Sequence, residues 1–367
     1  MWLPVVITIF VLASSSHPLP LSRPQRRQQI FTFEATPSTT SSRTREDTQI
    51  PDEFASWLAN NNGDGDSKRL VAEPLNGPGY CNRLYRILPG VGILKVYSEL
   101  TRERKRISGF SDVDSLLGDM QIGPQIMQSS PRGILMTDLD APSLTESEIH
   151  ASNATHILLA VAKSLAIMHS IPITRNTKEK TNDPKTTKNM LWSSLEILLS
   201  RMDDDSPQKE YYQEQVEFQR CQLQALKLPV VLGHGDFKPS NVILWDQKAI
   251  FLDFEMVGCH YRAYDLAKFF RTNHPTPWTK ENREAFYRYY SNNAPTLPLE
   301  LESKLLLPMT WLEAAMFFET IQEHSLAQDR RRHYEESCKH FQKDIEAYCR
   351  LLENSSREKR EASSKLL

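Results

Sequence analysis

The chain has 367 residues, of which 40% are hydrophobic and 25% are charged, so it can bury a sizeable core. That length suits one two-lobed domain or two domains. The formal net charge is −2, which gives no reason to expect a nucleic-acid partner. The five cysteines are scattered and form no C-x-x-C pair, so neither a zinc site nor a disulfide framework is indicated.

The first 67 residues have the composition of a leader. An apolar run from Trp2 to Ala13 has the length of a signal-peptide core and is too short to span a membrane. Residues 22–48 are rich in Ser, Thr and Arg and poor in acids, which is typical of a transit peptide. Residues 1–67 are therefore predicted to direct the chain into the secretory pathway or to a plastid. The alternative is a disordered tail on a cytoplasmic protein.

Residues 68–140 carry short strand patterns that predict a small antiparallel sheet. Lys95 interrupts one of these apolar strands, where a lysine either serves chemistry or protects an edge strand. The predicted elements are a strand ending at Ile87, a strand over residues 92–97, a helix opening within residues 111–117 and a buried strand over residues 133–139.

Residues 141–353 are predicted to form a larger, mostly helical part, because apolar residues recur there at helical spacing. Residues 174–189 are polar and charged and predict a surface loop. Residues 354–367 are predicted to be a frayed polar tail. The predicted helices cover residues 151–170, 209–226, 280–291, 301–326 and 330–353.

The most specific signal in the chain is a pair of polar motifs within residues 232–270. His234-x-Asp236-x-x-x-x-Asn241 has the spacing of a kinase catalytic loop, and Asp253-Phe254-Glu255 follows twelve residues later. Between them, two short apolar runs around a polar turn predict a hairpin. That hairpin brings Asn241 and Asp253 to one edge of a sheet, where an Asp and an Asn suit a Mg²⁺ ion that takes few protein ligands.

A purely structural interpretation of these residues is that Asp236 and Asn241 cap turns and that Asp253 simply ends a strand. The joint occurrence of both motifs on one hairpin favours phosphoryl transfer instead.

The same residues resemble the choline/ethanolamine kinase family, within the aminoglycoside phosphotransferase and protein-kinase-like superfamily. Asp253-Phe254-Glu255 is similar to the D-F-E of that family, and residues 260–270 (HYRAYDLAKFF) are similar to its N-Y-R-G-F-D-I-G-N-H-F signature. The resemblance implies an α+β, two-lobed kinase-like fold. It also implies that Asp236 is the catalytic base and that Asn241 and Asp253 bind Mg²⁺. Glu255 and Tyr261 then face the ammonium group of an amino-alcohol.

The resemblance also assigns an ATP site to the smaller lobe. Asn82 lies at the tip of a glycine-containing loop over the phosphates, and Lys95 neutralises the α- and β-phosphates. Backbone groups of Thr137 and Leu139 bond the adenine. The carboxylate partner of Lys95 stays open between Asp112 and Asp114.

The acceptor is predicted to be a small amino-alcohol, ethanolamine in preference to choline, as in phospholipid head-group synthesis. The family places two Trp residues around the quaternary ammonium on a late helix, and here the matching positions are Ala315 and Phe318. One missing ring weakens a cage for trimethylammonium more than a site for a primary amine. The alternatives are another acceptor, such as thiamine, a sugar or an aminoglycoside, and a non-catalytic pseudokinase.

Overall fold

The computed structural model describes residues 50–60, 71–75, 81–110, 112–151, 153–173, 188–271 and 278–364, and from Ile50 onward they belong to one compact unit. The predicted signal and transit segments up to residue 49 and the loop over residues 174–187 lie outside the described residues. None of the helices described combines the length and apolar character needed to cross a bilayer.

The smaller lobe is built on an antiparallel sheet of five strands in the order β1-β2-β3-β5-β4. Lys95 lies on the central strand β3 and pairs with Leu84 on one side and Ile134 on the other. It is therefore not an edge-strand residue, and the edge-protection interpretation is wrong. The strands are β1 (Val71–Pro74), β2 (Arg83–Leu88), β3 (Gly92–Val96), β4 (Ile126–Ser130) and β5 (Gly133–Met136).

Three helices accompany this sheet. Ser98 caps the second helix by accepting a hydrogen bond from the Thr101 N–H, and Gly109 ends it in the left-handed conformation at φ 72°. The helices are α1 (Asp52–Asn60), α2 (Glu99–Ser108) and α3 (Val113–Asp119).

Helix α1 corrects the predicted boundary of the leader at residue 67. Phe54 and Leu58 on α1 pack with Ile87, Leu94 and other sheet residues in a small separate core, and Phe54 is completely buried. The lobe therefore includes residues of the segment that composition alone assigned to a leader. A nine-residue helix with a single apolar stripe is too short a pattern to stand out beside a long polar stretch.

The larger lobe is mostly helical, as predicted, with two small two-stranded sheets at the boundary with the smaller lobe. Its core gathers Leu158 and Leu165 from one helix with Leu266 and Leu312 from two others and with Phe251 from a strand. The helices are α4 (Glu146–His150), α5 (Thr155–His169), α6 (Met190–Ser200), α7 (Pro207–Ala225), α8 (Arg262–Phe270), α9 (Lys280–Tyr290), α10 (Leu297–Thr320), α11 (His324–Cys338) and α12 (Phe341–Ser364). The strands are β6 (Val230–Gly233), β7 (Val242–Trp245), β8 (Lys248–Phe251) and β9 (Gly258–Tyr261).

The end of the chain differs from the sequence prediction. Residues 330–353 were expected to be one helix followed by a frayed tail, but they belong to two helices, and α12 continues to Ser364. No Gly or Pro interrupts the chain there, and Arg357 and Glu361 form an i,i+4 ion pair along the exposed surface of α12. Buried Phe341 and Tyr348 anchor the first turns of the helix to the lobe.

Candidate active site

A tight hairpin brings the two polar motifs together. Strands β7 and β8 pair through a two-residue turn, in which Asp246 and Gln247 both adopt positive φ, at 48° and 62°. Such a turn matches the twist of paired strands. Asn241 directly precedes β7, Asp253 closely follows β8, and the Leu252 N–H donates to the Asn241 carbonyl at 2.8 Å. Both predicted metal ligands therefore lie at one end of the hairpin.

A buried carboxylate on α8 holds the backbone of the loop that carries Asp236. Asp265 accepts hydrogen bonds from the His234 N–H at 2.7 Å and from the Gly235 N–H at 2.8 Å. It also lies 2.9 Å from Nε2 of His169 at the end of α5, which is a structural contact. Burial would raise the pKa of Asp265, but the hydrogen bond from His169 and the nearby histidines hold it at about 2. The loop thus rests on an ionised carboxylate.

Asp265→Asn is expected to lower stability at neutral pH and to lose this effect in acid. The folded pKa of about 2 lies below the unfolded value of about 3.9, so the contribution is complete above pH 4 and disappears as the pH falls towards 2. A shift of that size corresponds to about 2–3 kcal/mol. Urea unfolding of both proteins between pH 7 and pH 3 measures it. The exposed Asp205→Asn is the control and should show no such trend; a constant difference at all pH values would contradict the prediction.

Asp236 is surrounded by positive charge. Its Oδ1 lies 2.8 Å from Nζ of Lys268, and its Oδ2 accepts from Nζ of Lys238 at 2.7 Å and from Nδ2 of Asn241 at 3.1 Å. Burial would raise the pKa of Asp236, but the two ammonium groups outweigh it and hold the pKa well below its usual range. The group is therefore a carboxylate with a fixed orientation, and a weak base.

Asn241 and Asp253 offer an oxygen donor set that fits a divalent cation. The Asn241 amide donates through Nδ2 to the Asp236 carbonyl and carboxylate, which turns its Oδ1 away from Asp236. Asp253 adopts positive φ at 67° and ion-pairs through Oδ1 with Lys95. Among the described residues there is no cluster of three or more His, Cys, Asp or Glu that could hold a metal ion. A site here would be completed by phosphates and water, as Mg²⁺ prefers.

The partner of Lys95 is therefore Asp253, and neither of the two open candidates on the following helix. Asp114 instead ion-pairs with Lys105 of α2. Burial would lower the pKa of Lys95, but Asp253 and Glu255 raise it above its usual value. An ammonium group beside the predicted metal-binding carboxylate is well placed to meet phosphate oxygens.

The predicted nucleotide residues lie in the smaller lobe and at its connection to the larger one. The side chain of Asn82 accepts from the Ser98 N–H at 3.1 Å and donates to Glu255 at 2.7 Å, while residues 76–80 of its loop lie outside the described residues. The Thr137 N–H donates to the Gln125 carbonyl, which leaves the Thr137 carbonyl and the Leu139 amide as the hinge groups for adenine. These nucleotide assignments stay predictions.

The predicted acceptor residues have different surroundings in the structure. Glu255 is buried and accepts from Thr101, Arg104 and Asn82, so an ammonium group there would share the carboxylate with Arg104. The Tyr261 hydroxyl accepts from Nε1 of Trp192 at 3.2 Å. Phe318 lies beside Phe317 at the end of α10, with the Arg330 guanidinium 5.9 Å from its ring. Ala315 is completely buried in α10.

Three residues at the site were not found from the sequence. Arg104 on α2, Glu313 on α10 and Lys268 on α8 are all buried, and both cations ion-pair with Glu313. The available signals were a lone Glu within the apolar run of α10 and a Lys where the resembling signature has Asn. Buried charges of this kind are rare unless paired, and they mark functional or structural sites.

The fold and this site define a two-lobed, protein-kinase-like phosphotransferase. The model of the phosphotransferase enzyme family (APH) matches residues 77–301, more than half of the chain. The chain therefore belongs to the phosphotransferase enzyme family, and it is a small-molecule kinase with a hydroxyl acceptor. The predicted phosphotransferase superfamily, fold class and enzyme class are confirmed.

Solved structures with the same fold include kinases of several acceptors. The Plasmodium vivax ethanolamine kinase is 17% identical with a TM-score of 0.63, over 82% of this chain and 91% of that one. The Cryptosporidium parvum choline kinase is 15% identical with a TM-score of 0.61, over 80% and 97%. An ADP-bound aminoglycoside phosphotransferase is 15% identical with a TM-score of 0.55, over 80% and 99%. At these identities the likeness concerns the fold.

Proposed function

We propose that the protein transfers the γ-phosphoryl group of ATP to the hydroxyl of a small amino-alcohol, with ethanolamine favoured over choline. The observation that carries the reaction is the convergence of Asp236, Asn241 and Asp253 at one end of the hairpin, with Lys95 on Asp253. Phosphoryl transfer depends mostly on positioning and electrostatic stabilisation, and these residues supply both.

Each residue has a distinct role in this proposal. Asp236 orients the acceptor hydroxyl and takes up its proton, and Asn241 and Asp253 hold Mg²⁺, which neutralises phosphate charge when bound. Lys95 faces the phosphates from the centre of the small sheet. Lys238, whose side chain is 42% exposed, is the cation beside Asp236 that can turn towards the transferred group.

The buried carboxylate of Glu255 supports an acceptor with a positive charge. It ion-pairs with Arg104 at 3.0 Å and is the carboxylate that an ammonium group would share with that residue. A primary ammonium can donate three hydrogen bonds, whereas trimethylammonium must be held by ring faces. The D-F-E motif and the single ring at Phe318 favour the primary amine.

An acceptor panel tests this proposal. ADP release should be measured with ethanolamine, choline, thiamine, an aminoglycoside and ethylene glycol, a neutral alcohol of similar size to ethanolamine. We expect kcat/KM for ethanolamine to exceed that for choline several-fold, since one cation–π contact contributes about 0.5–2 kcal/mol. Equal use of ethylene glycol would contradict the ammonium site while leaving the kinase intact. Absence of ADP release with every hydroxyl acceptor would favour a binding role without catalysis.

A further inference from the structure

A continuous run of buried ion pairs joins the smaller lobe to Asp236. Arg104 donates to Glu255 at 3.0 Å through Nη1 and to Glu313 at 3.3 Å through Nη2. Glu313 in turn accepts from Nζ of Lys268 at 3.0 Å, and the same Nζ lies 2.8 Å from Oδ1 of Asp236. Each cation thus bridges two carboxylates, and no link is longer than 3.3 Å.

These ion pairs are almost completely removed from water. Arg104 is 1% exposed, Lys268 2% and Glu313 5%. Removing an ion from water costs several kcal/mol, and a buried ion that loses its partner is strongly destabilising. Each member of the run must therefore stay with its neighbours. A displacement of Arg104 obliges Glu313 and Lys268 to follow or to leave a charge unpaired.

The run crosses three separate helices. Arg104 belongs to α2, which accompanies the small sheet, Glu313 to α10 and Lys268 to α8. Lys268 also donates to the Gly235 carbonyl at 3.1 Å, so it holds the backbone of the catalytic loop as well as the side chain of Asp236. Lys238 holds the other oxygen of Asp236, but its side chain is 42% exposed, against 2% for Lys268. Lys268 is therefore the buried cation that fixes the orientation of Asp236.

We propose that Arg104, Glu313 and Lys268 are positioning residues that fix the carboxylate of Asp236 and make its orientation depend on the position of helix α2. The role of Asp236 that they serve rests on the proposed function. The nucleotide is predicted to bind between the lobes, in contact with the lobe that carries α2. A shift of α2 on nucleotide binding would therefore reach Asp236 through these ion pairs. None of the three residues needs to touch the acceptor.

The first test separates positioning from binding. Lys268→Met and Arg104→Met are expected to lower kcat by about 10- to 100-fold, the effect of a misplaced catalytic group, while KM for ATP and for the acceptor changes less than about threefold. Arg104→Lys, which keeps the charge, should recover most of kcat. The matched control is Arg262→Met, which breaks the bidentate pair of Arg262 with buried Glu302. Glu302 lies near the start of α10, away from Glu313, and the substitution leaves the contacts of Asp236 in place. This control should lose stability but not kcat.

The second test does not depend on activity. Hydrogen exchange of the His234, Gly235 and Asp236 amides should accelerate in Arg104→Met, although Arg104 lies on another helix, and should stay at the wild-type rate in Arg262→Met. Glu313→Gln, which removes the charge between Arg104 and Lys268 and keeps the size of the side chain, gives the same comparison if Arg104→Met does not fold. Wild-type kcat and wild-type exchange in Arg104→Met, or in Glu313→Gln in its place, would overturn the inference. Lack of activity in the wild type would overturn the proposed function alone, because the exchange measurement still decides the coupling.

Discussion

Replacing Asp236 with Asn is expected to lower kcat by about 10²–10⁴-fold, the usual contribution of a general base, while ATP affinity stays within about twofold. The carboxylate acts on the acceptor hydroxyl and not on the nucleotide. The two carboxylate oxygens of Asp236 each contact one lysine, Lys238 or Lys268. The amide that replaces the carboxylate has a single acceptor oxygen, so one of these contacts is lost. ADP release and calorimetric titration with ATP measure the two effects separately.

The control for this substitution is Asp246→Asn in the hairpin turn. Asp246 is exposed and adopts a left-handed conformation that Asn tolerates well, so the control should keep wild-type activity. Turnover of Asp236→Asn at the wild-type rate would remove Asp236 from the reaction.

Asp253→Ala is expected to be at least as damaging as Asp236→Asn, and higher Mg²⁺ concentrations should rescue it only in part. Asn241 alone would be a poor ligand set, because a neutral amide brings no charge to a hard cation. The substitution also removes the ion-pair partner of the buried Lys95, which should destabilise the folded protein. Rates and Mg·ATP binding measured over a Mg²⁺ titration report the loss.

The double variant Lys95→Met with Asp253→Ala separates the two consequences. Removing both charges should restore much of the stability, since no ion is left unpaired, but it should not restore turnover. If Asp253→Ala bound Mg·ATP as tightly as the wild type, the assignment of Asp253 as a metal ligand would be wrong.

The part of the site that could be predicted is the part encoded locally. Asp236, Asn241 and Asp253 lie within eighteen positions of one another on a hairpin whose strands and turn are visible in the sequence, so their convergence follows from short-range geometry. The helical larger lobe and the central strands β3 and β5 also have clear apolar patterns. The confirmed fold class depended on these local signals.

The residues that escaped prediction depend on contacts between distant segments. Arg104 lies in ELTRERKRIS, a stretch that has the composition of a solvated helix surface, yet it is among the most buried side chains in the protein. Its partner Glu313 is 209 positions away, and nothing in the local sequence of either residue indicates the other. The partner of Lys95 is also distant in the sequence. Local order favours an acid on the following helix, whereas the structure supplies Asp253, 158 positions away.

The helix α1 sets a limit on how far the chain can be shortened from its N-terminal side. Phe54 covers the apolar face formed by Ile87 and Leu94, and a protein that started at Lys68 would expose that face to water. Any cleavage that keeps the smaller lobe intact must therefore fall before α1. A terminus produced beyond that point would yield an aggregation-prone protein even though every catalytic residue remained in place.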